Sequence, residues 1–183
     1  MIVLSGRSVL FGVDAEIFLE WSLAQQTHSP DAAARLHRHL EAYESGENYQ
    51  LTYYLGLAAE AYAITGLHAE ALALVDRSLT LVDRSGETFW RAELHRLRGA
   101  SLLALGANDG AADLQQALVI ARDQGAGLLA MRSAGDLARL WQAHGRLEAA
   151  RQLVAQVYGE FSADAALPER LDSEHEPGAP GEA

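Results

Sequence analysis

The chain has no cysteine, no lysine and no long apolar run, and each absence removes a class of function. Without cysteine there are no disulfides, no thiol nucleophile and no thiolate metal site. All 14 basic residues are arginine, so a lysine Schiff base and a P-loop lysine are both excluded. No stretch of about 18 apolar residues exists to span a membrane. The apolar opening MIVLSGRSVLFGV lacks the basic start and small-residue cleavage site of a signal peptide. Positive charge is scarce too. A net charge of −11 and a pI near 5.0 set the chain against a phosphate backbone, so no direct nucleic-acid binding is expected. Proline is nearly confined to the ends, with only four in 183 residues.

What remains is rich in alanine and leucine, both strong helix formers. Glycine carries the clearest pattern. Gly46, Gly66, Gly86, Gly106, Gly125 and Gly145 are spaced 20, 20, 20, 19 and 20 residues apart. Glycine favours the position just past a helix C-terminus, where the backbone needs positive φ. The spacing predicts helices of roughly 15 residues joined by tight turns.

Two kinds of segment alternate, so the repeat is a helix pair of about 40 residues. Aligned on the turn glycine, Tyr62, Leu102 and Trp141 correspond, as do the small residues Ala59, Gly99 and Ala138. Ala71, Ala111 and Ala150 correspond on the second helices. A looser copy runs backwards through Leu23 and Ala32, where Glu20 replaces the small residue and Thr27 the turn glycine. Four pairs are therefore expected, the first degenerate. Their small residues bring paired helices close together. Each fully buried large side chain beside them contributes roughly 1.5–3 kcal/mol. Gly99→Leu should overpack the third pair by about 1–3 kcal/mol.

The domain expectation follows: residues 1–13 a lead-in with at most part of a helix, 14–161 the helical repeat domain, and 162–183 an acidic, mostly disordered tail. That tail carries six acids against Arg170.

The large–small–aromatic series on each first helix, the turn glycine and the following alanine resemble tetratricopeptide (TPR) repeats. The wording of LTYYLGLAAEAYAITG, WRAELHRLRGASLLALG and LARLWQAHGRLEAARQLVAQVYGEF resembles something narrower. It is similar to the C-terminal TPR region of large bacterial signalling ATPases joined to adenylate/guanylate cyclase or transcriptional-regulator domains. The resemblance implies an all-α, right-handed TPR-like solenoid of about four antiparallel helix pairs in a bacterial cytoplasm. It also implies a role in signal transduction as a sensory or assembly arm, surviving alone or cut from a longer reading frame. It carries over neither ATPase nor cyclase activity: GxxxxGK[ST] is absent, and paired metal-binding aspartates have no recognisable context.

Candidate reactive groups read more simply as helix surface and core. In RAELHRLRG, residues 91–99, His95 shares a face with Gly99 and Leu102 and is expected to be a partly buried packing histidine. Glu93 and Arg96, three apart, are expected to form an exposed pair worth a few tenths of a kcal/mol. His37 and His39 point nearly opposite ways on a helix, and His37 with Glu41 supplies too few ligands for a metal. Serines at 5, 85 and 101 have no nucleophile-elbow context. No catalytic residue, metal or cofactor is assigned.

In TPR arrays the first helix of each pair lines the concave surface. On that resemblance the partner-binding candidates are Trp21, Tyr53, Glu60, Glu93, Arg96, Arg132, Arg139 and Gln142. Aromatic anchors and arginine forks are residue types that dominate interfaces. The competing expectation for each is a solvated helix face with intrachain ion pairs. Gly56 and Gly135 stand where a carboxylate clamp would need a cation, which argues against a chaperone-tail receptor. The expected function is non-enzymatic protein–protein interaction or regulatory scaffolding, with a protein or peptide partner. The sequence does not fix the oligomeric state.

Overall fold

A computed structural model describes residues 7–44 and 50–162. The expected tail, apart from Ser162, and the first expected turn glycine, Gly46, lie outside the described residues. Among the described residues the regular structure is entirely helical, in eight elements. In chain order these are α1 (Arg7–Thr27), α2 (Pro30–Glu44), α3 (Leu51–Ile64), α4 (His68–Ser85), α5 (Arg91–Ala104), α6 (Gly110–Asp123), α7 (Gly127–Ala143) and α8 (Leu147–Ser162). Helix α1 begins ahead of the expected boundary at residue 14. Once Ile17 and Ala24 are packed, a helix propagates at little cost through neighbours of modest propensity.

Glycine ends the helices as its spacing predicts. Gly66, Gly86, Gly106, Gly125 and Gly145 all have positive φ, between 63° and 82°. At four of them the turn is the same double-hydrogen-bonded one. After α3, Leu67 N–H donates to Tyr62 O (3.0 Å) while Gly66 N–H donates to Ala63 O (3.1 Å). Equivalent pairs of bonds follow α5, α6 and α7, and satisfy carbonyls that a helix end leaves without partners. Gly86 makes the simpler closure, a single bond from its N–H to Val82 O (2.9 Å).

Helices pack in chain order. Each contacts the next, and α3, α5 and α7 each also contact the helix two before it. Each odd-numbered helix after the first therefore lies against both helices of the preceding pair. Two buried clusters result. One spans α1 to α5 around Ile17, Leu36, Leu40, Leu55 and Val75. The other runs from α5 to α8 around Leu114, Leu129, Leu137 and Val157, and Trp90 packs against both.

Within the third pair, α5 and α6 approach backbone to backbone. A Cβ added to Gly99 would sit 2.6 Å from the backbone oxygen of Gly110, and one on Gly110 would sit 2.5 Å from that of Gly99. The small residue facing Gly99 is thus Gly110, not the aligned Ala111. The 19-residue interval between Gly106 and Gly125 fits this: Gly110 stands four residues after its turn glycine, whereas Ala71 and Ala150 stand five after theirs. Because backbone opposes backbone there, even Gly99→Ala has no flexible neighbour to push aside. In the first pair Glu20 occupies the small-residue position, is buried, and accepts a 2.8 Å bond from Arg35 Nε on α2.

Candidate functional site: an arginine–carboxylate array on the odd-numbered helices

Six of the eight candidates meet in one array, and it is not the loose surface expected. Glu93 is 1% exposed and Arg96 8%, so the expected exposed pair is a buried one. The reason is the stacking of α3 and α7 against α5, which covers the face that an isolated helix would leave in water. Arg96 grips Glu93 with two bonds, Nε to Oε2 at 2.9 Å and Nη2 to Oε1 at 2.6 Å. Its Nη1 donates to Asp136 Oδ2 on α7 at 2.6 Å, and its Nη2 lies 3.7 Å from Glu60 Oε1 on α3. One guanidinium therefore ties three odd-numbered helices together.

Arg132 of α7 closes the array from the other side, bonding Glu60 and lying 3.0 Å from Glu93 Oε1. Trp21 of α1 donates its indole N–H to Glu60 Oε2 at 2.9 Å. Arg139 bonds Asp136 one turn along α7 and projects outward. Three carboxylates thus face three guanidinium groups, a balanced set, which is what burial of charge requires. Burial alone would lower the Arg96 pKa. The bidentate bond and charge of Glu93, with the charge of Asp136, outweigh it and raise the pKa above its ordinary value. Arg96 stays charged at any physiological pH.

The other two candidates lie to either side. Tyr53 belongs to an aromatic patch, its ring 4.9 Å from Trp90, 6.2 Å from Phe18 and 6.2 Å from Phe89. Its hydroxyl pKa is raised, first by burial and then by the charge of Glu60, so the aromatic patch borders the ionic array. Gln142 is exposed and lines an outward groove between α7 and α8, apart from the array.

Sequence reasoning missed Asp136, Phe18, Phe89 and Trp90. Asp136 had a usable signal. Arg96 and Asp136 are 40 residues apart, Glu93 and Arg132 are 39 apart, and Trp21 and Glu60 are 39 apart. Opposite charges, or a donor and an acceptor, recur one repeat apart, so they fall side by side once the pairs stack.

The remaining candidate groups are placed as packing residues. His95 Nδ1 lies 2.9 Å from Asp113 Oδ1 and is partly buried, as expected. His37 bonds the Tyr62 hydroxyl at 3.2 Å and lies 3.9 Å from Glu41. Among the described residues no group of three histidine, aspartate or glutamate side chains is placed to hold a metal ion. No helix among them is long and apolar enough to cross a membrane.

No family model and no solved structure matches this chain. An uncharacterized protein of Rhizobium meliloti (strain 1021) is 31% identical over 146 residues, which is 78% of this chain. The matched region makes up only 14% of that protein's length.

Proposed function

We propose that the chain is a non-enzymatic protein-interaction scaffold. In this reading it is a right-handed, TPR-like solenoid of four helix pairs. The odd-numbered helices line its concave surface and receive a helix or extended peptide of a protein partner in the cytoplasm. One observation supports this above the rest: the candidate side chains converge on a single array across α1, α3, α5 and α7. The acids Glu60 and Glu93 are buried beneath it and Asp136 nearly so, while the Arg132 side chain is 33% and that of Arg139 73% exposed. The solvent side of the array is cationic although the whole chain carries −11. Guanidinium forks beside aromatic rings suit recognition of a peptide bearing carboxylates and an apolar anchor.

The test is capture by the immobilised full chain. Arg139→Glu, and Arg132→Glu more weakly because Arg132 also holds Glu60, should reduce recovery of the partner while the helical circular dichroism of Arg139→Glu stays unchanged. Equal capture by wild type and Arg139→Glu would remove the assignment of this face. Arg96→Glu is unsuitable as a binding variant, since it places a fourth carboxylate against Glu60, Glu93 and Asp136.

A second reading is that the array docks and gates an ATPase, cyclase or transcriptional-regulator domain, in the same polypeptide or in trans. Its support is the similarity to a short part of a much longer R. meliloti protein. The DNA flanking the coding region tests it: an ATPase-like frame favours this reading, and an unrelated neighbour counts against it.

A further inference from the structure

One contact of the array is out of step with the others. Trp21 to Glu60, Arg96 to Asp136 and Arg132 to Glu93 each join positions 39 or 40 apart, one repeat along the chain. The bond from Arg132 to Glu60 spans 72 residues, close to two repeats, and passes over α5 to join α7 to α3. No Cα of α3 lies within 8 Å of one of α7, so side chains make this reach. In a stack of repeats each unit ordinarily touches only its neighbours. Here the second pair is tied to the fourth.

We infer that the Arg132–Glu60 bond is a releasable brace that holds the row α3–α5–α7 bent toward the array. The pair sits on the face of α5 from which Glu93 and Arg96 project, since Arg132 also lies 3.0 Å from Glu93 and Arg96 lies 3.7 Å from Glu60. Straightening the row on that face draws α7 away from α3. Opening at the α3–α5 and α5–α7 interfaces adds up across this bond, so it parts first. Release leaves no acid stranded. Glu60 keeps the Trp21 indole N–H (2.9 Å) and the nearby Arg96, and Glu93 keeps both bonds from Arg96. The Arg132 side chain, 33% exposed, returns to water at little cost. Arg96 has no such exit. It is 8% exposed with acids on three helices, and it is the fixed hub about which the brace opens.

The row then has two arrangements, braced and open, that differ at one guanidinium. In the scaffold reading, a partner carboxylate that takes Arg132 displaces Glu60 and opens the row, so docking and curvature are linked; that link rests on the scaffold reading. The brace itself needs no partner, and its test stands apart from that reading.

The absence of native cysteine allows a direct test. In the full chain, spin labels on Ala69→Cys and Ala143→Cys, both exposed and near the C-terminal ends of α3 and α7, read the distance across the row. Arg132→Met should lengthen the mean distance by about 1–2 Å, the size of helix shifts at packed interfaces, and broaden its distribution. Glu60→Gln should do the same, since it can still accept the Trp21 bond but loses the charge that holds Arg132. Combining the two should add nothing further, because both break one contact. Arg139→Met should match wild type, because the Arg139 bond to Asp136 stays within α7. Wild-type distances in both Arg132→Met and Glu60→Gln would overturn the inference. So would shifts that add in the double variant, or a shift in Arg139→Met as large as that in Arg132→Met. A shift seen only where helical circular dichroism has fallen would overturn it too, since the brace moves intact helices.

Discussion

Two sets of arginine–carboxylate pairs run across this molecule, and they have the same chemistry in different settings. The inner set, on α3, α5 and α7, joins Arg96 and Arg132 to Glu60, Glu93 and Asp136, with Glu93 1% exposed. The outer set joins Arg77 to Glu44, Arg98 to Asp76 and Asp113, and Arg122 to Glu160 on the even-numbered helices and the outer side of α5. Distances do not separate them. The Arg77–Glu44 pair is 2.7 Å with two parallel bonds, as short as the inner contacts. What separates them is water. An exposed pair exchanges one good hydration for another, so its net worth is small. A buried pair has already lost that hydration, so removing either partner leaves a charge with no recourse.

The largest expected effect breaks the inner set at its centre. Arg96→Ala leaves Glu93, Asp136 and Glu60 facing one another with only Arg132 and Arg139 to balance them, and should destabilise by about 3–5 kcal/mol. Urea unfolding followed by circular dichroism measures it. Adding Glu93→Gln to Arg96→Ala should recover part of the loss. A loss below about 1 kcal/mol for Arg96→Ala would place the inner set in the same class as exposed pairs and remove the contrast.

An intermediate case sharpens it. Arg98 reaches from the outer side of α5 to exposed Asp76 (2.8 Å) and to nearly buried Asp113 (2.6 Å), and Asp113 also meets His95. Arg98→Ala should cost about 1–3 kcal/mol, because among the described side chains Asp113 then keeps His95 alone as a polar partner. Arg77→Ala, at an exposed pair of equal geometry, should cost less than about 1 kcal/mol. Reversal of that order would mean that bond geometry, not burial, sets the energy.

Much of this arrangement can be traced to the text of the chain, and the limits have physical causes. The turn glycines are legible because positive φ selects glycine strongly, and the five described ones all adopt it. The partner of Gly99 is not legible to the residue. A 19-residue interval announces a missing residue without saying on which side of the helix start it falls, so Ala111 stands aligned where Gly110 makes the contact. Burial of Glu93 and Arg96 is invisible to a single-helix view. A charged pair three residues apart looks solvated until another helix is laid over it, and that covering comes from residues 40 positions away. Side chains paired one repeat apart, such as Glu93 with Arg132, carry that information, whereas hydrophobic periodicity does not.

The smallest effect is expected at Arg122–Glu160. Arg122 grips Glu160 with two bonds of 2.8 and 2.9 Å, and Gln156 adds a third at 2.8 Å. Arg122 first, then Gln156, hold the Glu160 carboxyl below its ordinary 4.5. A folded-state pKa lowered in this way contributes stability above the unfolded value and loses it as pH falls through the folded one. Glu160→Gln should therefore differ from wild type only slightly at neutral pH, and the difference should disappear below the ordinary carboxylate range. The pair is exposed, so added salt should shrink the difference too. Arg96→Ala provides the contrast within one molecule, because the partners of Arg96 are buried or nearly so and added salt screens them much less. Its destabilisation should persist when 1 M salt has erased the effect of Glu160→Gln, a concentration at which screening acts over about 3 Å. Equal salt sensitivity in the two variants, read from urea midpoints, would show that water reaches the inner set and that the two sets are one class.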